Sequence, residues 1–375
     1  MQIVEVKSKK DAKDFLEVAR IIYRGDDSWV CPLDNDINSV FNSEENVFYT
    51  HGEAIRWILK DEKGQLIGRV AAFINEHKAD FEGKRMGGMG FFESIEDHEA
   101  ALLLLNTAKA WLIDRKVAYI QAPINFGEND KFWGLLVEGF THPSYGMAYN
   151  KPYYQKYFED YGFVTHMEQM TNHLDIRHGI SPRFVKIAKY VLERRPNITV
   201  KPFDMKHFSQ FSEDFMYIYN EAWKDHENFT PIEKEYIEET FKAIKPLHDP
   251  LLIQFAYVSG EPASFVLCLP DVNQIFKYFK GKLNWWNKLR FVMLKRRKVI
   301  NRIRVVVMGT LPKYQGLGLE SVLTYKCFEG AMKRGHYVEG ELSWVGDFND
   351  KMIAIHKGLG AVPGKKHITY GLHVD

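Results

Sequence analysis

Cysteine is scarce in this chain: Cys31, Cys268 and Cys327 stand far apart among 375 residues, with no C-x-x-C pair and no Cys/His cluster at metal-ligand spacing. Free thiols in a reducing cytoplasm are therefore expected, with no structural zinc and no metal in the site. An excess of one charge is also missing. The 50 Lys and Arg balance 49 Asp and Glu, leaving +1, which argues against a DNA binder. No apolar run approaches the length of a membrane span, and no segment is of low complexity. Met1-Gln2-Ile3-Val4-Glu5-Val6-Lys7 alternates as a strand, unlike a signal peptide. Two phosphate-binding loops are absent: nothing matches G-x-x-x-x-G-K-[ST], and Ser321 stands where a dinucleotide fingerprint needs its third glycine.

What is present suits a soluble enzyme. The length corresponds to about two domains, and 45% hydrophobic residues are enough for two cores. Val305 to Thr310 reads as a buried strand that breaks at Pro312 and opens a helix through Gly316 and Gly318. The first N–H groups of a helix lack intrahelical partners and carry about half a positive charge between them. Glycines let the backbone approach phosphate oxygens closely, so a pyrophosphate fits there. An ordinary strand-to-helix turn would have the same look, and the flanks decide. From Leu319 an apolar-faced helix runs to Lys333-Arg334 and stops at Gly335. Tyr337 to Trp344 then alternates, with Glu339, Glu341 and Ser343 on one face. A turn at Gly346 to Asn349 leads into a helix that ends at Gly360.

Gln315 to Glu320 resembles [QR]-x-x-G-x-[GA], the coenzyme A signature of the GCN5-related N-acetyltransferase (GNAT) superfamily, with Glu320 at its last position. The second motif is similar too: Asn349 opens the helix, Gly360-Ala361 closes it, and His356 takes the place of the usual tyrosine. The resemblance implies an acyl-CoA, most simply acetyl-CoA, as co-substrate. It would lie over Met308, Gly309 and Thr310 and over the loop of Gln315, Gly316, Leu317, Gly318, Leu319, Glu320 and Ser321, with Asn349 beside the pantetheine arm. His356 shares a helix face with Asn349 and would protonate the departing thiolate; the alternative is a core or surface histidine. Glu341, with Glu339 behind it, is the candidate to take the proton of the incoming amine; the alternative is a pair of solvated carboxylates.

The element order strand, two helices, hairpin, strand, helix, strand, helix, strand occurs twice. It starts at Ile3 and again at Ile198, and the second helix of the second series is expected over 231–247. The fold class is thus α/β with a mixed sheet (α+β in its segregation), as two tandem GNAT-like domains at 1–177 and 196–375, joined by a helical linker at 178–195. In the first half Gly90-Phe91-Phe92-Glu93-Ser94-Ile95-Glu96-Asp97 replaces the glycine loop, so that half is expected to have lost the cofactor. Its long aromatic stretch from Asn125 to Tyr154 gives Tyr145, Tyr149 and Asn150 as candidates to select the acceptor, or else an interdomain packing surface. From Gln274 to Arg304 there are eleven Lys or Arg, six aromatics and no acid. That suits an anionic membrane surface, tRNA, an acyl carrier protein, or a solvated basic helix. The expected activity is N-acyl transfer from acyl-CoA to a small-molecule or peptide amine in the cytoplasm, with peripheral membrane attachment as one option. The alternatives are a non-catalytic CoA- or peptide-binding module, or a transferase using aminoacyl-tRNA or acyl carrier protein as donor.

Overall fold

A computed structural model describes residues 1–224, 231, 232, 234, 237, 238, 241 and 244–374. Of the helix expected over 231–247, positions 233, 235, 236, 239, 240, 242 and 243 fall outside these residues. In chain order the elements begin with β1 (Gln2–Glu5), α1 (Lys9–Ile22), α2 (Asp34–Val40), β2 (Gly52–Lys60) and β3 (Leu66–Asn75). There follow β4 (Asp80–Phe81), β5 (Lys84–Ser94), α3 (His98–Ile113), β6 (Tyr119–Ala122), β7 (Leu135–Glu138), α4 (Tyr154–Tyr161) and β8 (Val164–Asp175). The series continues with α5 (Pro182–Arg194), β9 (Ile198–Pro202), α6 (Phe208–Trp223), β10 (Ile253–Val258), β11 (Glu261–Pro270) and α7 (Trp285–Arg296). It ends with β12 (Arg302–Thr310), α8 (Leu319–Arg334), β13 (Glu339–Gly346), α9 (Asp350–Leu359) and β14 (Val362–His373).

Contacts divide the chain into two units. One is Met1–Met170 with Ile275–Leu294 and Gly364–Asp375; the other is Thr171–Gln274 with Lys295–Pro363. The division departs from a cut in sequence order: residues 275–294 of the basic aromatic stretch and most of the last strand belong with the first half, and helix α5 belongs to the second unit. The strand order of the first unit is β1-β2-β3-β5-β6-β14, with β5 and β6 parallel and β14 antiparallel to β6, Tyr370 opposite Ala122. Helix α1 starts in a capping box, Ser8 Oγ accepting from the Asp11 amide at 3.1 Å and Asp11 accepting from the Ser8 amide at 2.9 Å. Its Phe15 and Val18 pack with Ile58, while α3 and α4 bury Leu104, Leu105, Leu112 and Phe158 in the larger core. Each such side chain contributes about 2 kcal/mol by leaving water.

The order in the second unit is β13-β12-β11-β10-β9. The β10–β11 hairpin turns at Ser259 and Gly260, both with positive φ (52° and 86°), as a tight two-residue turn requires. Phe211, Phe215 and Ile218 of α6 pack with Phe255 and Phe265, and a second cluster gathers Phe184, Leu342, Leu359, Tyr325 and Phe328 from α5, β13, α9 and α8. The three cysteines are free. Cys268 and Cys327 meet in the interior, where a hydrogen bond from the Cys327 thiol to Cys268, together with burial, pushes the Cys327 thiol up.

Candidate functional site

In the second unit β12 and β13 pair in parallel from Arg302 opposite Glu339 to Val305 opposite Leu342, and there the pairing ends, although β12 runs on to Thr310 and β13 to Gly346. Along the other edge of β12, Leu267 faces Val307 while Cys268 faces Val305, so Val306 is a bulge residue with no opposite number. A bulge bends its strand and sharpens the twist, and β12 leaves its neighbour at this point. The result is a wedge. Strand β12 lies inside the sheet order, yet Arg304 to Met308 are only half-buried, between the buried Ile303 and Gly309.

The glycine loop stands beyond the end of β12. Its single 3-10 turn, Pro312–Tyr314, is fastened to the β10–β11 hairpin: Tyr314 donates to Glu261 at 2.6 Å and Lys313 pairs with the same carboxylate. Gly316 and Gly318 have φ of +76° and +82°. A Cβ at Gly316 would meet only open space, whereas one at Gly318 would lie 3.0 Å from Ile187 and 3.2 Å from Val191 of α5. Gly318 is the N-cap of α8, with no side chain capping the helix. The first intrahelical bond runs from the Val322 amide to the Gly318 carbonyl, so the amides of Leu319, Glu320 and Ser321 precede it. Amides left without intrahelical partners in this way are the groups that could receive an anion. The side chains of Leu319 and Ser321 are buried, and those of Leu317 and Glu320 are half-buried.

Several other candidates gather around this wedge. Thr310 Oγ1 lies 2.8 Å from Ser264 Oγ, which donates to the Gly309 carbonyl. Asn349 is the N-cap of α9, its Oδ1 accepting from the Met352 amide at 3.1 Å, which leaves the amide NH2 as the end that can reach a ligand. Lys351, the second residue of the same helix, donates to Gln315 Oε1 at 3.3 Å and ties α9 to the glycine loop.

The two proton-transfer candidates sit in unlike surroundings. His356 is 6% exposed, with Nδ1 2.9 Å from the Asn172 amide nitrogen. If the amide donates, the ring proton lies on Nε2. Burial lowers its pKa to about 4, so at neutral pH it is an uncharged imidazole. Glu341 is 3% exposed and 3.8 Å from the Arg302 guanidinium, which also meets Glu339 at 3.0 Å and Asp271 at 3.5 Å. His173 lies 3.1 Å from Glu339. These carboxylates surround a buried cation; they are not a solvated pair.

No protein-family model matches the chain. It is 26% identical over 378 residues to a bacterial ceramide synthase of Caulobacter vibrioides, covering 99% of this chain and 97% of that protein. It is also 26% identical over 374 residues to the protein YghO of Escherichia coli, covering 97% and 93%. Among solved structures, a tandem GNAT protein from the clavulanic acid biosynthesis pathway matches 99% of this chain and 98% of its own with a TM-score of 0.58, at 9% identity. The chain has the tandem GNAT fold.

In the first GNAT unit, Tyr145 donates to Asp36 at 2.8 Å, Tyr149 donates to Asp26 at 3.1 Å, and Asn150 accepts from the Leu136 amide at 2.9 Å. The first two fasten the Asn125–Tyr154 stretch to the rest of its unit, and the third ties the stretch to itself. Two participants in the second GNAT unit escaped the sequence reading. Val306 is one, because a bulge has no residue signature. Trp223 is the other: it covers Gly309, where a Cβ would come within 2.6 Å of its ring, and it stacks on Tyr219 at 4.5 Å, which stacks on Phe215 at 5.8 Å. Aromatics at i, i+4 and i+8 were a legible sign of that wall. Among the described residues no group of three or more His, Cys, Asp or Glu is placed to hold a metal, and no helix is long and apolar enough to cross a membrane.

Proposed function

We propose that the second GNAT unit moves an acyl group from acyl-CoA to the amine of a long-chain amino alcohol, forming an amide. The observation that carries the reading is the wedge between β12 and β13 with an uncapped helix N-terminus beyond it. The α8 amides receive the pyrophosphate, and the pantetheine arm extends along the half-buried Arg304 to Met308 edge, taking the place of the missing β-partner. The relative named a ceramide synthase suggests the amide class, since a ceramide is an N-acylated long-chain amino alcohol. The aromatic wall of Tyr219 and Trp223 offers an apolar lining that a long chain needs and an acetyl group does not.

The amine nitrogen attacks the thioester carbonyl carbon, the C–S bond breaks, and the proton lost by nitrogen is the one gained by sulfur. Holding the two reactants together supplies most of the acceleration. Backbone N–H groups from the bulge at Val306 to Thr310 polarise the carbonyl oxygen, an effect worth about 3 kcal/mol for one well-placed donor. His356, uncharged at neutral pH, gives sulfur a hydrogen bond from Nε2–H and leaves the net proton to come from the ammonium. Glu341 and Arg302 hold the polar face of the strand pair in place.

Thiol release measured over acyl-CoAs from acetyl to palmitoyl, with a long-chain 2-amino alcohol as acceptor, tests this. Amine-dependent release that grows with chain length is expected. Coenzyme A binding by calorimetry without thiol release from any donor would reduce the unit to a binding module. Release that does not depend on the amine would overturn the acceptor, and failure to bind coenzyme A would overturn the whole reading.

A further inference from the structure

Helix α7 and the turn before it form a surface that acyl transfer does not use. None of the residues of α7 is buried. Trp285 and Trp286 are 66% and 71% exposed, and Leu289, Val292, Met293 and Tyr278 are also open to solvent. At about 100° per residue, Trp285, Trp286, Leu289, Val292 and Met293 fall within an arc of about 120° on one side of the helix. The opposite side holds Asn287, Phe291 and Leu294, the only partly covered residues between Trp285 and Leu294. The apolar stripe therefore points away from the protein, and Lys288 and Arg290 border it on either side.

The mount is firm. Asn284 Oδ1 accepts from the Asn287 amide at 3.0 Å, and the Asn287 side chain donates to the Lys282 carbonyl at 2.7 Å. Arg290 donates to the Tyr278 carbonyl at 3.3 Å, and Phe291 meets Phe276 at 5.9 Å. Gly281, at φ +81°, accepts from the Asp34 amide at 2.7 Å, in a place where a Cβ would collide with Arg20 and Pro32. The first unit thus holds the helix with its apolar side outward.

We infer that this face docks on an anionic lipid bilayer, with Trp285, Trp286, Leu289, Val292 and Met293 entering the headgroup and acyl boundary and the flanking cations resting among lipid phosphates. The occupant follows from charge and shape. No acid occurs from Val272 to Leu319, while Lys277, Lys280, Lys282, Lys288, Arg290 and the run Lys295 to Lys298 lie in that interval. The surface is an exposed helix face, with paired indoles within its apolar stripe and cations on either side, as interfacial helices require. Each exposed cation adds attraction to an anionic leaflet, screened by salt. A second copy of this face would bring the same sign of charge against itself. The inference stands apart from the proposed chemistry, because vesicle binding needs no turnover.

The full chain is to be sedimented with phosphatidylcholine vesicles, and with the same vesicles containing phosphatidylglycerol, at low and high salt. Binding to the anionic vesicles alone, weakened by salt, is expected, with tryptophan emission quenched by brominated acyl chains. The Trp285→Ala/Trp286→Ala pair should lower the partition coefficient about tenfold and remove that quenching, and Lys288→Glu/Arg290→Glu should lower it by a similar factor. All four side chains are exposed, so an unchanged melting curve confirms that the variants fold. Failure to bind anionic vesicles at low salt, or equal binding by the tryptophan pair, overturns the proposal. Binding without bromolipid quenching overturns insertion of the stripe. Self-association in sedimentation velocity that the tryptophan pair abolishes would assign the face to a second copy.

Discussion

The two GNAT units contain the same parallel strand pair and treat the gap beside it in opposite ways. In the first, β5 and β6 pair from Met86–Tyr119 to Gly88–Gln121, and the chain then stays in place: the Ile124 amide donates to the Met89 carbonyl at 2.8 Å, and Phe126 packs on Phe73. A Cβ at Gly90 would lie 1.9 Å from the Ile124 carbonyl oxygen, so the contact is already closed. In the second, β12 and β13 part after Val305 and Leu342. The helix starts differ in the same sense. Asp97 caps α3, accepting from the Glu99 and Ala100 amides at 2.9 and 3.1 Å, whereas α8 begins at a glycine with no cap. An anion at the first helix would meet a carboxylate already bound to the amides it needs. One element order therefore yields a strand pair whose gap is filled or one whose strands part, and a few residues at the strand ends decide which.

The most direct way to break the contrast is to give the second unit the first unit's cap. Gly318→Asp puts a carboxylate on the α8 amides and a side chain where φ is +82° and Ile187 is 3.0 Å away. Coenzyme A affinity should fall by about a hundredfold, roughly 3 kcal/mol, from the lost cradle, the added charge and the strained backbone together. Isothermal titration calorimetry reads this directly, and a fall of less than threefold would mean that the pyrophosphate binds elsewhere.

A second contrast lies in the helix that follows each strand pair. Four residues before the closing glycine the first unit has Phe158, wholly buried, and the second has His356. Burial depresses His356 from 6.5 to about 4 in the fold. The unfolded chain takes up the proton first, so this contribution is complete above pH 6.5 and is lost as the pH falls from 6.5 to 4, to a limit of about 3 kcal/mol. His356→Phe should flatten that part of the stability curve, as followed by denaturant titration at successive pH values. The wild-type rate profile should show no inflection attributable to this ring near pH 6.5, since the folded group titrates near 4. An inflection that His356→Phe removes would restore the imidazolium as the acid.

Much of this was legible in the sequence because it is local. Gly316 and Gly318, the alternation through Glu339 to Ser343, the Ser259-Gly260 turn and the replacement of the glycine loop by acids in the first half all depend on nearby residues, and those segments fold as their patterns indicate. The less legible features depend on distant partners. The bulge at Val306 arises from register with β11. Glu341 reads as a candidate base or a solvated carboxylate until Arg302, four residues before the bulge on β12, is seen beside it from the neighbouring strand. The pairing of β14 with β6 brings residues some 250 positions apart together, Tyr370 against Ala122, and a sequence cut into halves cannot show that. Helix α7 hid its character because a stripe of five apolar residues and a packed side at Phe291 and Leu294 give no single apolar face.

The smallest change tests the comparison from the other side. Asp97→Ala removes the cap of α3 and should cost about 1 kcal/mol of stability, detectable as a small fall in the denaturation midpoint. It leaves the α3 amides open, as those of α8 are, yet it does not part β5 from β6 or displace Ile124 and Phe126. Coenzyme A titration should therefore still give one site per chain. If the carboxylate alone kept the first unit silent, the variant would gain a second site, and the filled gap beside β5 would no longer explain why the two halves differ. A stoichiometry that stays at one, with stability lowered, places the distinction in the strands, where parting of β12 from β13 is the feature that no single cap substitution reproduces.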